Sequence, residues 1–324
     1  MGDVGMDTIE YLYNSLKIDD EWSVREERGF TWWGYLLAQR IWAEPCIDDD
    51  GIVISRIQIR TDFARDVPQS NRALQSLMEL AVLPDVSGFV RDPKDPTRVQ
   101  IASSHIVHSA TPVDLQRLIV WSASMQQGKA HRMLRLLDRI GAKPDVTHHP
   151  RNGPRLTADE WVNVEPVLHA YGRKIGCPWE NGDLEAARIR IFALAPACVL
   201  TTGDASGLAA EFPFRDNTIL LQMEADRHHP VYYSGIITRI MVPVGAHECP
   251  DGDLQRRALE LNELHVEGDH LTGLIGSWYG NTSDNYLVFS QYVPSMAYVP
   301  NSALNLGLYA LIVINWIAAQ YGSY

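Results

Sequence analysis

Apolar and polar positions along this chain switch between two periods. Recurrence at i, i+3, i+4 and i+7 predicts helices. One spans 6–17 through Ile9, Leu12, Tyr13 and Leu16; another spans 71–82 through Leu74, Leu77, Met78, Ala81 and Val82; a third spans 252–266 through Leu254, Ala258, Leu261 and Leu264. Strict alternation predicts strands. In 52–63, Val53, Ile57, Ile59 and Phe63 face one way and Arg56, Gln58 and Arg60 the other, the mark of a half-buried strand. The same alternation runs through 208–214 and 219–225, and 98–108 and 236–244 also read as strands. The aromatic stretch 30–42 predicts mainly strand, with helix competing over 36–42, and 189–200 shows neither period.

Caps sharpen some ends. Thr111, Pro112 and Asp114 open a helix that runs to Ile140, with Gly141 as its C-terminal cap and Pro144 just beyond. Thr157-Ala158-Asp159-Glu160 has the form of a capping box, opening a helix through Trp161, Val164, Leu168 and Tyr171. The last fifty residues predict strands at 273–279 and 286–293 around the turn 280–285, then a long apolar helix over 303–319. Between the halves, 143–156 holds three prolines, two adjacent histidines and few apolar side chains, so it is the expected linker between domains 1–142 and 157–324. Both halves read helix, strands, helix, strands, helix. Strands joined by short turns favour antiparallel pairing, so the expected fold class is α+β: two similar domains, each an antiparallel sheet flanked by helices.

Composition narrows the function. The net charge of −12 argues against nucleic-acid binding, which needs phosphates neutralised by Lys and Arg. Four dispersed cysteines without a C-x-x-C pair fit reduced thiols in a cytoplasmic protein, and residues 1–10 have neither the basic region nor the apolar core of a signal peptide. The apolar run 304–319 falls short of the roughly 20 residues that span a bilayer and contains Asn305 and Asn315, so no membrane partner is expected.

Several residues in the second half match a known family pattern: Leu208 to Phe214, His229-Pro230-Val231-Tyr232, the helix containing Ala258 to Glu263, Gly276-Ser277-Trp278, the strand 286–293 and the C-terminal helix. Over about 208–320 the chain resembles the YbjN-like, type III secretion chaperone-like family, and the first half resembles the same unit in layout. The resemblance implies small α+β domains that bind other proteins through helices and sheet edges. It brings no catalytic residues, and it implies that the two halves form an internal pseudo-dimer or that the chain self-associates.

Candidate chemistry is sparse. The pairs His148-His149 and His228-His229 each precede a proline; as metal ligands they would need further donors, which His247, Glu248 and Cys249 supply for the second. Asp48-Asp49-Asp50-Gly51 lacks the ligand spacing of a calcium loop and reads as a turn, and Gly203 to Gly207 lacks the spacing of a nucleophile elbow or phosphate loop. No catalytic residue, cofactor or metal is therefore expected. A helix apolar on every side must be covered on every side, so the final helix is the expected interface. Trp278, Tyr292, Leu308, Leu311 and Trp316 are the expected protein-binding residues. The expected function is non-enzymatic, chaperone-like or adaptor protein binding, with a protein partner or a second copy. The alternative is an enzyme whose inter-domain cleft uses His229, His247 and Glu248.

Overall fold

The computed structural model describes residues 3–47, 53–109, 111, 113–168, 170, 178–179, 182–204, 207–225, 227–245, 253–267 and 273–321. The protein is α+β, with two antiparallel sheets flanked by helices. The chain divides into two compact units. The first comprises Met1–Ala81, Val86–Val164 and Leu259–Ser277; the second comprises Val82–Asp85, Glu165–Ala258 and Trp278–Tyr324.

In the first unit, helix α1 (Val4–Ser15) starts at Asp3, whose carboxylate accepts the amides of Gly5 and Met6. Its predicted apolar face, Ile9, Leu12 and Tyr13, is buried. The sheet contains β1 (Ser23–Glu26), β2 (Gly29–Trp33), β3 (Ala38–Ile47), β4 (Val53–Arg65), β5 (Gly88–Asp92) and β6 (Asp95–Val107), in spatial order β1-β2-β3-β4-β6-β5. The ambiguous stretch 30–42 thus resolves as two strands. Glycine is required where they meet, because a Cβ at Gly29 would lie 2.1 Å from the carbonyl oxygen of Ile41. Neither β1 nor β5 is visible in the sequence pattern, being too short to show alternation. Helices α2 (Asn71–Glu79) and α3 (Val113–Met133) complete this half. A helical turn, Leu137–Ile140, ends at Gly141, whose φ of 72° meets the expected cap. Thr111 is described and Pro112 is not, so the expected start of α3 lies partly outside the described residues.

Residues 143–156, expected as a linker, belong to the first unit. Strand β7 (Lys143–Pro144) pairs with β4, and Arg98 binds the buried carboxylate of Asp145, with Nε 2.9 Å from Oδ2. The unit boundary falls later, between Val164 and Glu165. The expected capping box is replaced by a single cap: Asp159 accepts the amide of Trp161 and opens the short 3₁₀ turn Glu160–Asn163.

The second unit repeats the plan. It contains α4 (Asp183–Leu194), β8 (Val199–Asp204), β9 (Gly207–Phe214), β10 (Asn217–Glu224), β11 (Gly235–Pro243), the start of α5 (Leu254–Glu267, in the first unit from Leu259 on), β12 (Ser277–Asn281), β13 (Tyr286–Pro294) and α6 (Ser302–Gln320). Its sheet order is β8-β9-β10-β11-β13-β12. Each sheet is therefore a four-stranded meander followed, across a helix, by a hairpin whose second strand returns beside the fourth.

The units also exchange equivalent segments, the connection between the second helix and the hairpin of each half. Asp85, from the first half, bridges Gln291, and its carbonyl accepts the amide of Tyr292 at 3.3 Å. Leu274, from the second half, accepts the amide of Ser104 at 2.9 Å and donates to its hydroxyl at 2.7 Å. The expected strand over 273–279 begins only at Ser277, because 273–276 is committed to this pairing. The exchange also corrects the half-buried reading of β4. Gln58 and Arg56 are buried as deeply as the apolar row, since the C-terminal part of α5 lies over them and the Val266 carbonyl accepts from Gln58 Nε2 at 2.9 Å.

Candidate functional site

The residues expected to bind a partner are placed mostly in the interior. Trp278 on β12 is fully buried, its ring 5.3 Å from Phe289 and 6.3 Å from Trp316. Tyr292 on β13 is also fully buried, 4.5 Å from the His229 ring, and holds the Asp85 segment through its amide. Leu311 and Trp316 on α6 are buried, and Leu308 is half-buried. Four of the five belong to the core of the second unit, and Leu308 alone is partly open. α6 is the one described helix long and apolar enough to cross a membrane by composition, and 56% of it is buried inside the protein.

α6 keeps one large apolar side chain open, Ile312 at 47%, and its neighbour α4 keeps more. α4 packs against it at Gly307: a Cβ there would lie 3.1 Å from Ile191 Cδ1 and 3.5 Å from Ala187 Cβ, so the glycine brings the helices close. Leu184, Ala187 and Ile191 form the buried face of α4. Its opposite face is not polar, as a surface helix would make it. Ile189 and Phe192 stand 59% and 50% exposed there; Leu194, seven residues from the buried Ala187, is 51% exposed as the last residue of the helix, and Val199, at the start of the edge strand β8, is 60% exposed. Charge on α4 is confined to few positions: Asp183 and Glu185 in its first turn, Arg188 paired with Glu185, and Arg190, which makes no ion pair with the described residues. Apolar residues on both faces are why 189–200 showed no period. The usable signal was the run of apolar helix formers after Asp183 and Glu185, acids that suit a helix N-terminus.

The second histidine of each pair is structural, and His149 and His229 build the same turn twice. His149 and Gly153 exchange backbone hydrogen bonds of 3.0 and 2.9 Å, as do His229 and Tyr233. The Nδ1 of His149 accepts the amides of Arg151 and Asn152, and that of His229 accepts those of Val231 and Tyr232. A ring that accepts at Nδ1 donates from Nε2, which reaches the Ser23 carbonyl at 3.3 Å and the Pro84 carbonyl at 3.0 Å. With both nitrogens engaged, neither ring has a lone pair free for a metal or a proton transfer. His247, Glu248 and Cys249, and the acidic turn at 48–51, lie outside the described residues. Among the described residues no group of three or more metal-ligating side chains converges.

One polar groove, about 420 Å³, lies on the first sheet beside the end of α5, lined by Arg40, Trp42, Arg60, Asp62, Lys94 and Glu267 among others. Arg40 pairs with Glu26 and Arg60 with Glu267, and both guanidinium groups lie against Trp42. Burial pushes the Asp62 carboxyl up to about 6, against the hydrogen bond from Gln100, with Asp145 adding repulsion. A carboxyl tuned this way in a cleft suits proton transfer, but among the described residues no serine, cysteine or histidine lines the groove with it. Compared with known family models, curated proteins and solved structures, the chain matches none.

Proposed function

We propose that this chain is a non-enzymatic, protein-binding protein of the chaperone or adaptor type, and that its contact surface is the outer face of α4 with the adjoining edge strand β8. One observation carries this reading: Ile189 and Phe192, one turn apart, remain exposed on a helix whose other face is already buried. Large apolar side chains grouped on one exposed element mark interaction sites. β8 is the edge strand of the second sheet among the described residues, and an edge strand offers backbone groups to a further strand. The buried position of α6 and the dispersed cysteines support a cytoplasmic setting.

The test compares capture of native partners by the wild-type protein and by Ile189→Asp/Phe192→Asp. Both positions are exposed, so the thermal melt is expected to stay unchanged while captured chains are lost. Equal capture by both proteins overturns the assignment of this surface.

A further inference from the structure

We infer that the outer face of α4 receives a second copy of this chain, α4 against α4 in antiparallel orientation. This rests on the protein-binding reading of that face and names its partner. The outer face is self-complementary in size and charge. A two-fold axis placed between Ala187 and Arg188 sets position 185 opposite 190 and position 186 opposite 189. Glu185 then meets Arg190, and Ala186 meets Ile189. The large side chain has a small one to pack on, and the Arg190 guanidinium gains a carboxylate.

Because a two-fold interface is isologous, each contact forms twice. Glu185 already holds Arg188, yet its side chain is 52% exposed. A carboxylate has about four acceptor sites, so a second guanidinium can be received. Centring the pair on Ile189 instead sets Glu185 opposite Ala193 and leaves Arg190 opposite Arg188, a like-charge contact. That register also sets Ala186 opposite Phe192, so charge and not size selects the first. In that first register Ile189 is covered by Ala186 of the copy, while Phe192 falls at the margin of the seam, opposite Asp183. At net charge −12 two copies repel at a distance. The seam itself, with Glu185, Arg188 and Arg190, is not acidic, so it is a place where they can meet.

Sedimentation velocity on the full chain over a wide concentration range tests this. The wild-type protein is expected to show a reversible monomer–dimer equilibrium. Arg190→Glu sets two carboxylates against each other at positions 185 and 190, on both sides of the axis, and is expected to weaken the dimer about tenfold, with the melt unchanged. The charge swap Glu185→Arg/Arg190→Glu is expected to restore most of that loss, and Ile189→Asp to abolish the dimer. A wild-type protein that stays monomeric throughout, or a dimer indifferent to Arg190→Glu and Ile189→Asp, overturns the inference. If the monomeric protein still captures another chain through Phe192, the protein-binding reading stands and the second copy is the wrong partner.

Discussion

α3 and α6 hold the same place in the two halves: each follows the hairpin that returns beside the meander of its sheet, and each is long and largely buried. They fill that place with different chemistry. The buried middle of α3 includes Ser122, Ser124, Gln126, Gln127 and Lys129, and that of α6 includes Leu306, Ala310, Leu311, Val313, Ile314 and Ile317. α3 is held by directed bonds. Gln126 Nε2 reaches the carbonyls of Ile59 and Ile101 and the Thr61 hydroxyl, while its Oε1 accepts from Ser103. Gln39 binds Thr61 and the Ala123 carbonyl. α6 is held mainly by area and shape. One topology thus accepts two ways of attaching its closing helix, and they differ in what they demand. Buried polar groups call for partners at fixed directions, so the α3 layer is tied to particular positions, although the Oε1 atoms of Gln39 and Gln127 find no partner among the described residues. Apolar packing is non-directional and extends wherever apolar surface remains, and in the second half it continues outward through α4.

The largest expected effect lies in α6. Leu311→Asp buries an unpaired charge and is expected to cost about 4 kcal/mol or more, enough to unfold the second unit in a denaturant melt. An unchanged melt would mean that α6 is not closed by apolar packing. Next comes Gln126→Ala in α3. It strips partners from several buried groups at once and is expected to cost about 2–4 kcal/mol, more than an ordinary lost hydrogen bond.

The polar layer should also make the first half sensitive to acid. Desolvation holds His105, on the same face of β6 as Ser103, down to about 3 from its ordinary 6.5. The unfolded chain takes up that proton first, so this stability is complete above pH 6.5 and is lost as pH falls toward 3. Asp62 acts oppositely. Its folded value of about 6 lies above the ordinary 3.8, so it destabilises the fold above pH 6 and ceases to do so below about 4. Asp62→Asn is expected to add about 2 kcal/mol at pH 7, and that gain should vanish by pH 4. A difference between variant and wild type that does not change with pH would remove the titration of Asp62 as its cause. The smallest effect is expected for Ser122→Ala, within about 0.5 kcal/mol, because that hydroxyl bonds the Leu118 carbonyl of its own helix. A cost as large as that of Gln126→Ala would show that the α3 layer depends on burial generally and not on bonds across to the sheet.

Much of this was legible locally. The β9 and β10 alternations, the α1 stripe, the Gly141 cap and the long final helix appear where the pattern places them. The expected interface moves from α6 to α4 for a specific reason. Apolarity on every side of α6 does require cover, but residue order does not say which element provides it. α4 provides part of that cover, and it was the one helix without a readable period. Likewise His149 and His229 could be recognised as a repeated motif, while their partners, the carbonyls of Ser23 and Pro84, lie far away in sequence.

What residue order determined by itself was the type of most elements and the α+β class, because helix and strand periods are properties of neighbouring positions. Tertiary structure alone decided that Val82–Asp85 and Leu259–Ser277 are exchanged between the units, that Trp278 and Tyr292 are core, and that the exposed apolar face belongs to α4. Those outcomes depend on which distant surfaces meet, and a buried side chain and an exposed one can carry the same letter.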